Sequence, residues 1–100
     1  MNLVDYAGNS IRLTDERLKH IKDHPEMSNN SEKINETLIN PDIVIKSKSD
    51  EEARLYYRFY GGLSIGNKYL IVVKFKEKDA FVITAYFTDS IKKGEAIWRQ

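Results

Sequence analysis

The sequence predicts an α+β domain in which two N-terminal helices pack on a roughly four-stranded antiparallel sheet, after a short N-terminal hairpin. Two observations support this class. Residues 14–40 place apolar positions at helical spacing between capping residues and Pro41, and from Asp42 onward the pattern changes to the two-residue period of strands. The chain has 100 residues and neither a repeat nor a linker, so residues 1–100 are expected to form a single domain.

The hairpin and the helices are indicated by turn and capping residues. NLVDYAGNSIRL has turn residues between two short apolar-containing runs, as hairpins do. TDERLKHIKDH is expected to be a helix that Thr14 or Asp15 caps and that Pro25 ends, because a proline disfavours helical geometry at the residue before it. SEKINETLIN is expected to form the second helix, which stops before Pro41.

Four strands are expected after the helices. They lie in DIVIK, ARLYYRFY, KYLIVVKF and DAFVITAYFT, separated by the turns KSDEE, GGLSIGN and KEKD. The tail SIKKGEAIWRQ is expected to supply one last short strand or a turn, with Trp98 covering an edge of the core. The helices must then bury one face of this sheet.

Alternation along the strands separates an apolar set of side chains from a set of cations, hydroxyls and tyrosines. If the apolar sets share one face, the other face gathers six polar side chains: Tyr56, Arg58, Lys74, Thr84, Tyr86 and Thr88. Such a face offers donors to a phosphate and rings on which bases stack. The solvated side of an ordinary half-exposed sheet has the same composition, so this pattern alone favours no ligand.

The only two histidines, His20 and His24, lie one helical turn apart. Beside a basic, hydroxyl-lined surface they would make an acid–base pair, and the helix C-terminus would favour the charged form of His24. A pair at this spacing can also bind zinc, but the chain has no cysteine and no HExxH arrangement. We therefore expect no catalytic metal and no other cofactor; two solvated surface residues are the remaining alternative.

Charge and hydropathy limit the other possibilities. The net charge of +1 predicts weak affinity for bulk nucleic acid, because that affinity scales with the phosphates neutralised. No apolar run is long enough to span a bilayer, and MNLVDYAGNS lacks the pattern of a signal peptide. We therefore expect a cytoplasmic protein without membrane contact.

The chain resembles the phage- and mobile-element-associated nuclease-like families of the barnase/EndoU/colicin/RelE (BECR) superfamily. The segments that carry the resemblance are RLTDERLKHIKDHPEM, INETLINPDIVI, YYRFY, KYLIVVKF and FVITAYFTDSIKKGEAIW. They cover residues 11–98, and the most specific are HIKDHPE and VITAYFT followed by IKKG and Trp98. The superfamily fold, a helical part followed by a four-stranded antiparallel sheet, agrees with the element order above.

The resemblance implies a small, toxin-like, metal-independent endoribonuclease. A ribose 2′-hydroxyl would attack the adjacent phosphate and leave a cyclic phosphate and a free 5′-hydroxyl. By position, the resemblance gives catalytic roles to His20, His24, Arg58 and Thr84, and substrate-binding roles to Lys74, Tyr86 and Thr88. The polar face of the predicted sheet adds Tyr56 as a substrate-binding candidate. The implied partners are RNA, with tRNA and ribosome-associated mRNA as candidates, and a cognate antitoxin or immunity protein. A non-catalytic RNA- or protein-binding module of a toxin–antitoxin or phage system is the alternative.

Overall fold

The computed structural model describes the backbone of residues 1–63, 66–76 and 79–100, and the side chains of residues 1–61 and 79–100. The described residues form eight strands and two α-helices. In chain order these elements are β1 (Asn2–Val4), β2 (Ser10–Arg12), α1 (Asp15–Lys22), a 3₁₀ turn (Pro25–Met27), α2 (Glu32–Ile39), β3 (Ile43–Ser47), β4 (Ala53–Tyr57), β5 (Tyr60–Leu63), β6 (Gly66–Lys76), β7 (Asp79–Thr88) and β8 (Gly94–Arg99).

The strands make one sheet in the order β1-β2-β7-β6-β4-β3-β8, and β5 pairs with β6. The α+β class and the N-terminal hairpin are confirmed, whereas the expected four-stranded sheet was too small, and strands precede the helices. The sheet is larger because β8 pairs with β3, β5 pairs with β6, and the hairpin joins β7. This last contact is parallel, at Arg12 and Phe81, whereas the other strand pairs are antiparallel.

Both helices pack on the same face of the sheet. Thr14 caps α1, its hydroxyl accepting the Arg17 backbone N–H at 3.1 Å. Ile21 of α1 and Leu38 of α2 are fully buried with residues of β3, β4 and β7 in one core. That core contains Ile11, Leu13, Ile21, Met27, Ile34, Leu38, Val44, Tyr56, Ala80, Val82 and Ala85. Neither α-helix of the described chain has the length and apolar character that a membrane span requires.

A β-bulge in β7 changes which side chains face the helices. Val73 of β6 pairs with Val82, while the preceding Val72 pairs with Thr84, so Ile83 is an extra residue on β7. Val82 and Ala85 consequently share the helix-facing core, whereas simple alternation had placed them on opposite faces. A second buried cluster lies on the other face and consists of Ile43, Ile45, Leu55 and Tyr57.

Candidate functional site

The two histidines lie at the C-terminal end of α1 and are exposed. Their ring centroids are 6.5 Å apart and the ring planes are 84° apart, so the rings meet edge to face. His20 belongs to the last helical turn, whereas His24 lies beyond the helix with an extended backbone before Pro25. The proline thus sets the geometry of His24, as the sequence predicted, because the residue before a proline is held away from helical angles.

The surroundings of His20 are polar and of mixed charge. A surface depression of about 320 Å³ is lined by Thr14, Glu16, Arg17, Lys19, His20 and Asp23. The last turn of α1 also carries Lys19 and Lys22, which suit the negative end of the helix dipole. His20 therefore borders an open, polar depression, and His24 is exposed beyond the end of the helix.

Arg58 follows β4 and lies in the helix layer, next to the C-terminal end of α2. Its Nη1 donates to the Asn40 carbonyl oxygen at 2.7 Å, and its guanidinium carbon is 5.6 Å from the centroid of the Tyr60 ring. The Arg58 Nε atom is buried and has no hydrogen-bond partner among the described residues. In the same part of the chain, no hydrogen bond or ring contact joins Arg58 to His20 or His24.

The aromatic ring under Arg58 is itself firmly held by α2. The Tyr60 hydroxyl donates to Glu36 Oε2 at 2.9 Å and lies 3.4 Å from Thr37 Oγ1, and Lys33 Nζ is 5.2 Å from the ring centroid. Burial raises the pKa of the Tyr60 hydroxyl to about 12, and the hydrogen bond to Glu36 contributes in the same direction. Tyr60 therefore stays neutral at ordinary pH.

Three of the predicted site residues lie on the opposite face of the sheet. Thr84 pairs with Val72, which pairs with Leu55 of the second buried cluster, so Thr84 faces away from the helices. Tyr86 lies near Tyr57 of the second buried cluster, and Thr88 follows it by two residues on the same face of β7. All three are partly buried. The structure therefore does not bring them together with the histidines, which lie on the helix-covered side.

Two predicted residues remain, Tyr56 and Lys74. Tyr56 was expected on an open face but is fully buried in the helix-facing core, where its hydroxyl donates to Asp5 Oδ2 at 2.7 Å. The expectation failed because β4 is buried on both faces, so alternation between apolar and polar residues does not mark a solvent side there. The side chain of Lys74 lies outside the described residues.

Sequence reasoning missed Lys33, Glu36 and Tyr60 as members of one contact group. Lys33, Glu36, Thr37 and Asn40 form a helical stripe at spacings of three and four residues, and each contacts Arg58 or Tyr60. The sequence SEKINETLIN shows this polar stripe next to the apolar stripe, but it does not show that Arg58 and Tyr60 are its partners. Over the described side chains, no group of three or more His, Asp or Glu residues is arranged to hold a metal ion.

Comparison with known proteins gives one result. The profile of the phage-Barnase-EndoU-ColicinE5/D-RelE like nuclease 2 family matches residues 2–99, which is nearly the whole chain. No curated protein and no solved structure gives a significant match. The match takes in the hairpin, both helices and every strand of the described chain. The chain therefore belongs to the phage-Barnase-EndoU-ColicinE5/D-RelE like nuclease 2 family.

Proposed function

We propose that this protein is a metal-independent endoribonuclease that cleaves RNA by attack of a 2′-hydroxyl on the adjacent phosphodiester. The observation that carries the proposal is the exposed histidine pair of a nuclease-family chain, with ring centroids 6.5 Å apart. Each proton-transfer group must come within about 3 Å of its oxygen, so two rings at this separation can serve the two oxygens of one phosphodiester.

The reaction needs a base, an acid and a cation. One imidazole removes the proton from the 2′-hydroxyl, the 2′ oxygen bonds to phosphorus, and the bond from phosphorus to the 5′ oxygen breaks. The other imidazole, as imidazolium, protonates that leaving oxygen, giving a cyclic phosphate and a free 5′-hydroxyl. Arg58 is the proposed electrostatic partner, because a guanidinium fork matches phosphate oxygens and binds them more strongly as charge develops.

The family supports a wider proposal about the biological role. Its description relates these phage proteins to colicins E5 and D and to RelE. We propose a toxin-like enzyme of the cytoplasm, with tRNA or ribosome-associated mRNA as the substrate and a cognate antitoxin or immunity protein as the partner. The separation of Thr84, Tyr86 and Thr88 from the histidines favours one alternative, a non-catalytic RNA- or protein-binding module of the same fold.

The decisive experiment measures cleavage and product ends together. Free tRNA and mRNA are incubated with wild-type protein and a chelator, ribosome-bound mRNA is incubated in Mg²⁺, and 5′-hydroxyl and cyclic phosphate ends are mapped. We expect His24→Gln to lower the cleavage rate about 10²–10⁴-fold. Arg58→Lys should also impair cleavage, because lysine keeps the charge but loses the fork.

The control is Lys48→Gln, an exposed residue of the turn between β3 and β4, which should cleave at the wild-type rate. Thermal melting of each variant separates lost activity from lost folding. Wild type that cleaves none of the three RNAs would favour the binding module instead. If wild type cleaves RNA and both His20→Gln and His24→Gln cleave it at the same rate, the histidines have no part in the mechanism, while the nuclease family assignment stands.

A further inference from the structure

We propose that Lys33 and Arg58, both held against the ring of Tyr60, form a phosphodiester-binding subsite for single-stranded RNA. This inference rests on the proposed ribonuclease function only in naming RNA as the ligand. Lys33 Nζ lies 5.2 Å and the Arg58 guanidinium carbon 5.6 Å from the centroid of the same ring. The two positive charges are therefore separated by no more than the sum of those two distances. Lys33 belongs to α2, whereas Arg58 follows β4.

Lys33 is unusually constrained for a surface lysine. Its side chain is only 18% exposed, and its contact with Glu32 is a loose one, at 3.8 Å between Nζ and Oε1. Lysines seldom accept such burial without a partner, because the ammonium is strongly hydrated. Contact with the electron-rich face of Tyr60 compensates for part of that lost hydration and fixes where the charge lies.

Arg58 is constrained at a cost to stability. Its Nε atom is buried without a partner in the described part of the chain, which normally destabilises a fold. Its Nη1 is bonded to a neutral carbonyl group, that of Asn40, and no carboxylate of the described residues forms an ion pair with it. A guanidinium held in place without a counter-ion is ready to bind an anion.

Two described carboxylates lie near this cluster, Glu32 in its loose contact with Lys33 and Glu36 at the Tyr60 hydroxyl. The Glu36 carboxylate accepts the hydroxyl of Tyr60 at 2.9 Å and lies within ion-pairing distance of neither Lys33 nor Arg58 among the described residues. Glu36 therefore fixes the ring and leaves Arg58 without a paired carboxylate, while Lys33 keeps only its 3.8 Å contact with Glu32 among the described residues. The negative charge of Glu36 also moderates the attraction of both cations for anions, as expected of a site that must release its ligand.

The test is the binding of a 2′-O-methyl oligoribonucleotide, which lacks the attacking hydroxyl and cannot be cleaved by the proposed reaction. Its dissociation constant is measured by fluorescence anisotropy over a range of salt concentrations for wild type, Lys33→Gln, Arg58→Gln and the control Lys48→Gln. Removing one phosphate contact from a single strand should reduce the slope of log K against log salt by about 0.7. We expect that change for Lys33→Gln and Arg58→Gln, with Lys48→Gln unchanged.

Tyr60 and Glu36 provide a second, independent set of variants. Tyr60→Phe keeps the ring but frees the Glu36 carboxylate, so it should bind somewhat more weakly than wild type, and Tyr60→Leu, which also removes the ring, should bind about threefold more weakly. Glu36→Gln keeps an acceptor for the Tyr60 hydroxyl but removes the negative charge, so it should bind RNA about two- to fivefold more tightly.

A salt slope for Lys33→Gln equal to that of wild type would overturn the subsite. So would a Lys48→Gln variant that reduces the slope as much as Lys33→Gln does, or a wild-type protein that does not bind the oligoribonucleotide. Lys33 is a partly exposed residue of α2, and its variant keeps the test valid if Arg58→Gln fails to fold. Cleavage plays no part in this readout. A protein that binds through Lys33 and Arg58 but cleaves no RNA would therefore refute the proposed enzyme while leaving the subsite in place.

Discussion

Replacing Tyr56 with phenylalanine should destabilise the domain by about 2 kcal/mol, because it removes a hydrogen bond to a buried carboxylate. Asp5 is only 4% exposed and accepts from the Tyr56 hydroxyl at 2.7 Å. Its other donors are the backbone N–H groups of Ala7 and Asn9 and the Asn9 side-chain amide, at 3.0, 2.8 and 3.0 Å. Hydrogen bonds to charged groups contribute about 1.5–3 kcal/mol, which sets the expected loss.

The assay is urea denaturation at neutral pH, with a thermal melt alongside. In a domain of this length, the same loss should lower Tm by roughly 8–16 °C. The matched control is Tyr57→Phe, because the Tyr57 hydroxyl accepts the neutral Lys92 backbone N–H at 3.1 Å and should contribute about 1 kcal/mol. A loss below about 0.5 kcal/mol for Tyr56→Phe, or a larger loss for Tyr57→Phe, would refute the view that Asp5 ties the hairpin to the sheet through charge.

The remaining predictions concern close packing, pH and the outer face of the sheet. A Cβ added at Gly94 would clash with the Lys46 carbonyl oxygen, so Gly94→Ala should destabilise the domain by about 1–3 kcal/mol, measured by urea denaturation. A smaller change would mean that β8 can shift away from β3. Burial raises the pKa of Tyr60 from 10.0 to about 12, so its contribution to the free energy of unfolding should be complete below pH 10 and lost as the pH rises through about 12. The stability of Tyr60→Phe should therefore fall less steeply at alkaline pH than that of wild type. Identical stability profiles against pH would contradict this. Thr84→Ala should cleave RNA at the wild-type rate, because Thr84 faces away from the helices, and a tenfold loss would relocate the site to that face.

Strand positions followed from the sequence more reliably than strand faces. DAFVITAYFT predicted the bounds of β7, Asp79–Thr88, because strand-forming residues lie there between two turns. The bulge at Ile83 could not be predicted, because it depends on the pairing of β7 with β6 and leaves no signal in the composition of either strand. The extra residue put Val82 into the helix-facing core, whereas Thr84 kept the face away from the helices that alternation predicts for it.

The burial of Tyr56 had a different cause. Its hydroxyl is satisfied by Asp5, a residue 51 positions away in sequence that is itself fixed by the turn of the first hairpin. Sequence patterns give no measure of such a long-range pair, so a tyrosine next to arginines was assigned to the solvent side. His24 was easier to place, because Pro25 limits its local geometry. The expectation for Arg58 was wrong, because ARLYYRFY was expected to be one strand, whereas β4 ends at Tyr57 and Arg58 contacts Asn40 at the end of α2.

The sheet makes two separate candidate surfaces, and a single phosphate can contact only one of them. His20, His24 and Arg58 lie with the helices, while Thr84 and Tyr86 project from the opposite face. Proton transfer requires an approach of about 3 Å, so a hydroxyl on the outer face cannot assist chemistry on the helix side. The proposed acid, base and cation must therefore come from the helix layer alone. Lys33 and Arg58, which contact Tyr60 next to α2, are the cations proposed to bind the RNA in that layer.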